Sequence, residues 1–588
     1  MKISNLFYVS ALLIFMGLQV QAADKNSQTP AMTPNEIDKR INLAINRVYN
    51  GNVPTFTTDF ILADLSLKPA FERRYTDYSG DLSGRYIQAL ALVQPLNNPI
   101  DIHALVKEAL TYQKKDGRFG SDALSFEMDK IDDAQMALLW GNGRLLAGLV
   151  DYYKVYHNKE VLASAVKLGN FIANISETLA KPEMAEKFNN SKSSGYICFT
   201  QLAEGLVSLY DITADKNYLA TAKTAYRFLP EKGKQHTHGY LNSLLGVLLL
   251  HQRSGEQADL QFAKTRFDAI LNSPDYLISG GVSEYFGNYT RDEGCSEADF
   301  MMVAFKLWEI TADQKYLETA ERCMVNHFFF NQFSTGDFGH HGIDGGKGFL
   351  NYGHVPLAWW CCDFHGIRGL HESKKECVTE KEGAVSLNLF FPGTYTASNS
   401  ILNITKENSQ SAKYVVDLKK FSAKNLKIRK PRWAKSINIT VNGNVIPAND
   451  KDDYVTLNQA KTGDKVTIEL NYKLQFKTEK GEIFTAENAP ATKFKAAIFY
   501  GPYLMSVDDH FQLEFMAEPS TENCLVYKTG FQNCDKKFIP ETSFCSEAYL
   551  KTAYKHATMY GEHPVILRPM AETTYQYPGN TRLWFNFE

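Results

Sequence analysis

Three short segments hold the residue types that could do chemistry. Ser283-Glu284-Tyr285, Glu293-Gly294-Cys295 and Trp359-Trp360-Cys361-Cys362-Asp363-Phe364-His365 together offer three sulfurs and two glutamates. Zinc takes four ligands of thiolate, imidazole or carboxylate type. Glu293, Cys295, Cys361 and Cys362 would close a tetrahedral Cys3Glu set. Iron and copper also accept soft ligands, but a tetrahedral thiolate set without Met points to Zn2+. Adjacent cysteines rarely reach disulfide geometry with each other, so the Cys361–Cys362 pair calls for a protector, and a metal is the simplest one. The plainer alternative is that these cysteines are buried apolar side chains, as Cys often is. For Glu284 the plainer alternative is a capping or surface carboxylate. For the histidine of His236-Thr237-His238-Gly239 it is a cap or a satisfied core residue.

These segments must be positioned by the elements around them. From about Pro34 to Leu370 the chain reads as successive helices, with helical spacing of apolar residues over Ile102–Tyr112, Ala137–Val155, Phe199–Tyr210, Tyr240–Leu250 and Asp299–Ile310. Leu209-Tyr-Asp-Ile-Thr-Ala-Asp-Lys-Asn-Tyr-Leu219 recurs as Leu307-Trp-Glu-Ile-Thr-Ala-Asp-Gln-Lys-Tyr-Leu317, with looser copies at Tyr153–Leu162 and around Leu250–Leu260. Repeated helix–turn–helix units stack into a solenoid or close into a toroid, and the helix number suits an (α/α)6 barrel. After about Cys377 the pattern changes to short runs rich in Val, Ile, Thr and aromatics. These are Val385–Phe391, Tyr414–Leu418, Leu426–Arg429, Ile437–Val441, Tyr454–Leu457 and Lys465–Leu470, punctuated by turns such as Asn442-Gly443. Ala496–Tyr500 and Val565–Arg568 extend the pattern. The expected fold is multidomain α + β, an (α/α)6 barrel followed by a β-sandwich.

Lys2, the apolar run Leu6–Leu18 and the small residues around Val20-Gln21-Ala22 form a secretory signal. The expected division is 1–22 signal peptide, 23–378 barrel and 379–588 β-sandwich. The mature protein is then exported, periplasmic or extracellular, with no membrane span. A formal charge of −3 gives no electrostatic reason to capture nucleic acid or an anionic membrane. Nine cysteines in an oxidising compartment leave one unpaired, and one disulfide is expected among Cys524, Cys534 and Cys545.

The sequence resembles glycoside hydrolase family 127 and its relatives, typified by bacterial β-L-arabinofuranosidases. The resemblance rests on the Glu-x-Cys and Cys-Cys motifs, with Arg368 six places after Cys362. Asp116-Gly-Arg-Phe-Gly120, Gly141-Asn-Gly-Arg-Leu-Leu146 and the two repeated turns support it, as do Arg429-Lys-Pro-Arg-Trp433, Val441-Asn-Gly443 and Tyr500-Gly-Pro502 in the sandwich. It implies a retaining glycosidase acting on an oligosaccharide or polysaccharide. Cys361 would be the zinc-bound nucleophile, Glu293, Cys295 and Cys362 the other ligands, and Glu284 the general acid/base, its pKa raised by burial. His238 would match a sugar-contacting histidine of the family. From residue type alone, His365 and the His340-His341 pair could bind sugar or a metal, and Trp359 or Trp360 could form a stacking wall, one of the two adjacent rings turning to the core.

The chain also departs from the family pattern. Ala137-Leu-Leu-Trp140 stands where relatives carry a His-Glu pair. Phe199-Thr-Gln201 stands where they carry a second sugar-contacting histidine. The segment from Glu284 to Glu293 is shorter, and Asp363-Phe-His365 replaces a proline-containing turn. The reaction class is thus better marked than the sugar, for which β-L-arabinofuranose is the leading expectation. The competing readings are a lyase or epimerase on the same barrel, and a glycan-binding protein with a structural zinc. Oligomeric state is not legible.

Overall fold

The computed structural model describes residues 36–588 apart from 69–72, 95–99, 234, 345–347, 353–359, 408–411, 450–451, 491, 517–522, 527–529, 541–542, 557 and 574–577. The expected signal segment and Trp359 lie outside the described residues. Six helices form a closed inner ring, each packed on the next and the last on the first. They are Asp81–Val93, Asp133–Tyr156, Leu202–Thr213, Thr237–Ser254, Gly294–Thr311 and Trp360–Cys377. Glu36–Asn50, Ile102–Thr111, Lys159–Leu179, Lys216–Tyr226, Gln257–Leu271 and Gln314–Arg322 back them from outside. This is the (α/α)6 barrel expected from the helical spacing. Asp133–Tyr156 is buried on nearly every side from Gln135 to Val150, as an inner helix must be, whereas Lys159–Leu179 buries one stripe.

The repeated turns have one chemistry. Ala214 and Ala312 take the left-handed conformation, at φ 58° and 57°. The hydroxyls of Thr213 and Thr311 accept from the backbone N–H of Asp215 and Asp313. Those aspartates then cap the following helix at the N–H of Asn217 and Lys315. The looser copies keep the left-handed residue at His157 and Gly255.

Beyond the barrel, a four-stranded sheet (Val378–Lys381, Ala384–Leu387, Asn425–Arg429, Tyr454–Leu457) accompanies a six-stranded one (Gly393–Ala397, Ser400–Lys406, Ala412–Lys420, Ala434–Val441, Asn444–Ile446, Lys465–Tyr472). Asn442 and Gly443, at φ 50° and 86°, make the expected tight hairpin turn. From Leu474 onward the strands belong to a separate twelve-stranded sheet with its own core, including Phe476, Ile498, Val507, Leu567 and Phe587. That sheet takes in a hairpin from the barrel, Gly342–Asp344 with Gly348–Tyr352, whose second strand pairs with Pro578–Arg582. At Gly348 a Cβ would lie 1.6 Å from the carbonyl oxygen of Thr581, so only glycine lets the strands meet.

Cys534 and Cys545 are free thiols, which corrects the disulfide expected among Cys524, Cys534 and Cys545. Cys524 lies in a strand between Lys555 and Asn586, Cys534 packs with Tyr549 and Ile566, and the Cys545 thiol donates to Glu572 Oε1 at 2.9 Å. Among the described residues no helix is long and apolar enough to cross a membrane.

Candidate active site

Inner helices bring their first turns together. Gly294–Thr311 presents Cys295, Trp360–Cys377 presents Cys361 and Cys362, and Thr237–Ser254 presents His238 just after His236. The positive ends of these helices favour anions such as thiolates. Cys295 and Cys362 are fully buried with their sulfurs 3.5 Å apart, and Cys361 is half-buried. One ligand atom from each of Glu293, Cys295, Cys361 and Cys362 falls within 4.8 Å of the others. Hydrogen bonds from the Cys295 and Cys362 thiols hold Cys361 well below its ordinary pKa. Three sulfurs and one carboxylate this close fit a tetrahedral zinc, whose thiolates lie about 2.3 Å from the metal.

The loop before the Gly294–Thr311 helix is anchored by Asp292. Its carboxylate receives His327 Nε2, His341 Nδ1 and Asn331 Nδ2, each at 3.0 Å, and the backbone N–H of His341. A π-helical turn at Cys323–Phe328 carries His327 into this cluster. Glu293 Oε2 accepts from the Ser296 hydroxyl at 2.7 Å and lies 3.2 Å from His236 Nε2. Burial pushes His236 down, yet the Glu293 charge lifts it above its ordinary value.

Glu284 lies on the same loop, hydrogen-bonded through its backbone to Thr237 and Arg291. His236, Glu284 and Glu293 also bring ligand atoms within 4.8 Å of one another, so Glu293 links Glu284 to the cysteine cluster. The Glu284 carboxylate takes both nitrogens of the Arg291 fork and has His340 Nε2 at 3.6 Å. Burial raises its pKa as expected, but His340 and Arg291 outweigh burial and bring it below the ordinary value. The expectation of a raised pKa is therefore corrected, because two cations face the carboxylate.

His238 and His365 lie behind the cysteines, each 1% exposed. Asp299 joins them, accepting from His238 Nδ1 at 2.5 Å and from His365 Nε2 at 2.8 Å. Arg85 and Arg144 donate to His238 Nε2 at 2.8 and 3.2 Å. Both ring nitrogens of His238 are thus engaged, and burial holds the imidazole well below its ordinary pKa despite Asp299. Both histidines form part of the wall behind the cysteines. Trp360 meets the Phe60 edge at 4.9 Å and has the Arg74 guanidinium 4.7 Å from its ring centre. The exposed aromatics near the site are Tyr75 and Tyr285, the latter 5.0 Å from the His236 ring.

Arg85, Asp81, Glu204 and Asn242 were not singled out in the sequence. Arg85 bonds His238, lies 3.9 Å from Cys295 Sγ and pairs with Asp81, which also accepts from the Trp140 indole at 2.9 Å. Trp140, standing where relatives carry a His-Glu pair, so belongs to the frame of the cluster. Deeper in the barrel, Glu204 holds Arg144, Arg368 and Asn242.

Two profiles match the sequence: "Beta-L-arabinofuranosidase, GH127 catalytic domain" over residues 70–338 and "GH127 middle domain" over residues 384–472. Together they span more than half of the chain. The chain belongs to glycoside hydrolase family 127. It is a glycosidase of that family, and the catalytic match takes in Glu284, Glu293 and Cys295 but ends before Cys361. A GH127 β-L-arabinofuranosidase from Geobacillus stearothermophilus T6 superposes with a TM-score of 0.69 at 14% identity, covering 95% of this chain and 99% of that one. A second GH127 β-arabinofuranosidase gives 0.69 at 14% identity, covering 95% and 96%. A further glycoside hydrolase gives 0.65 at 15%, covering 95% and 96%. At these identities the likeness is one of fold. No curated protein sequence matches this family 127 chain.

Proposed function

We propose that this glycosidase works with retention of configuration and releases β-L-arabinofuranose, or a related sugar, from an oligosaccharide or polysaccharide outside the cytoplasm. The observation that carries this reading is the convergence of a buried Cys3Glu set with a second glutamate, Glu284, through the shared Glu293. Zinc held by Glu293, Cys295, Cys361 and Cys362 would keep the thiolates deprotonated. Cys361, the half-exposed sulfur of the three, is the one a sugar can reach. Its thiolate attacks the anomeric carbon while Glu284 gives a proton to the departing glycosidic oxygen. The glycosyl–Cys361 bond is then broken by water, from which Glu284, now a carboxylate, takes the proton. Arg291 and His340 orient Glu284 and must yield part of their hold when it is protonated. Tyr75 and Tyr285 offer ring faces at the entrance.

The test is sugar release from synthetic furanosides and pyranosides, beginning with β-L-arabinofuranoside. Wild type should release sugar with retained anomeric configuration. Cys361→Ala and Glu284→Gln should each lose about 10³-fold or more in kcat. No release from any furanoside, with one zinc per chain by elemental analysis, would sink the arabinofuranosidase reading. Export is tested separately: the mature protein, recovered from outside the cytoplasm, should begin at Ala23 on N-terminal sequencing.

A further inference from the structure

Arg429–Trp433 of the first sandwich and Tyr500–Pro502, a motif that the structure places in the twelve-stranded sheet, take no part in the barrel mouth. Residues of both line a cavity of about 270 Å³ where the Gln314–Arg322 helix, the first sandwich and the twelve-stranded sheet come together. One wall is the outward face of that sheet. Leu474–Thr478 pairs with Phe494–Tyr500 so that Gln475 opposes Phe499 and Lys477 opposes Ala497, while Phe476, Ala496 and Ile498 turn inward to the core. Another wall is Trp433, whose indole N–H donates to Glu321 Oε2 at 2.8 Å and whose ring meets Tyr472 at 5.4 Å.

The charges around this cavity do not balance. Glu321 is answered by Arg429 at 3.0 Å and Glu318 by Arg432 at 3.4 Å. Arg322 and Lys477 have no carboxylate partner among the described residues. Arg322 lies 4.3 Å from the Phe499 ring centre, donates to the Ile278 carbonyl at 2.8 Å, and keeps a buried Nε without a partner. Burial and the neighbouring Arg322 bring the Lys477 ammonium down to about 8. Two adjacent cations lacking an anion, next to an indole held at a fixed angle, suit a ligand that is flat on one side and negative at one end.

We propose that this junction cavity binds a carboxylate-bearing sugar residue, its carboxylate on Lys477 and Arg322 and its ring against Trp433. A neutral sugar would stack but leave both cations unanswered; a bare anion would pair but not stack. The site is built from none of the residues assigned to sugar release, so it can hold an acidic branch of a glycan independently of the barrel mouth.

The test is calorimetric titration of the full-length protein with galacturonate, galactose and acetate. Galacturonate should bind saturably, at least tenfold more tightly than either of the others. Lys477→Gln, with an unchanged melting temperature and unchanged sugar release, should weaken galacturonate at least tenfold, and Trp433→Leu should do the same. Acetate binding as tightly as galacturonate would overturn the sugar part of the proposal. Absence of saturable galacturonate binding, or full binding in Lys477→Gln, would overturn it entirely.

Discussion

Glu284, the proposed acid/base, is held by the Arg291 and His340 cations, which bears on the pH range in which it would donate a proton. Its carboxyl sits below the ordinary value because His340 and Arg291 outweigh burial. An acid that must be protonated loses activity as pH rises through its pKa. Replacing Arg291 with Met removes one cation, raises the Glu284 pKa, and should move the alkaline limb of the kcat/KM profile upward by about one unit. An unmoved limb would show that Arg291 does not set that proton. Glu204 gives a prediction of opposite kind. Burial raises it, but Arg368 and Arg144 bring it down to about 2. A depressed carboxyl stabilises the fold above its unfolded value and loses that contribution as pH falls through the folded one. Unfolding free energy should therefore decline as pH drops from about 4.5 to about 2, and Glu204→Gln should flatten that decline while costing about 3 kcal/mol at neutral pH. Denaturant melts across pH check both. Local chemistry explains which of these residues could be read from sequence. The Glu-x-Cys and Cys-Cys motifs announce themselves by adjacency and type. Arg85, Asp299 and Glu204 stand singly in apolar helices far apart along the chain, and nothing in a one-dimensional pattern says that a barrel axis brings them together.

Helices and turns were read more fully than the site was. Helical spacing marked four of the six inner helices, and the Thr-Ala-Asp turn carries its chemistry in a left-handed alanine and an aspartate cap. Asp313→Ala should cost about 1 kcal/mol, typical of a lost N-cap, with sugar release unchanged, since the turn lies outside the catalytic cluster. A chemical melt and an activity assay on the same sample separate the two effects. The π-helical turn at Cys323–Phe328 was not legible, because its sequence differs in no local way from that of a regular helix. The hairpin at 342–352 escaped for another reason. Its strands are short, and their hydrogen-bond partner is Pro578–Arg582, far downstream.

At the scale of the molecule, barrel, sandwich and final sheet share boundaries rather than joining by linkers. Trp433 and Arg429 of the sandwich both bond Glu321 of an outer barrel helix, and the backbone N–H of Leu504, in the final sheet, donates to Asn326 of the barrel. Sequence composition separated helical from strand-rich regions but not the two β units, since both show the same alternation. Gly348→Val tests the seam most directly. Its side chain would enter the Thr581 carbonyl, so thermal stability should fall by about 3 kcal/mol, with sugar release falling alongside because the hairpin bonds Thr290 and Arg291 of the Glu284 loop. A variant that melted normally would show the seam to be dispensable.

The same seam sets an order of events during synthesis. A chain growing from its N-terminus makes Glu293, Cys295, Cys361 and Cys362 long before it makes Pro578–Arg582, the strand that braces the hairpin. Until residues 578–582 arrive, the hairpin lacks its second partner strand. A protease cut that released residues 578–582 would take a partner strand from the hairpin whose Ile343 N–H donates to Thr290, beside Arg291, without touching a thiol.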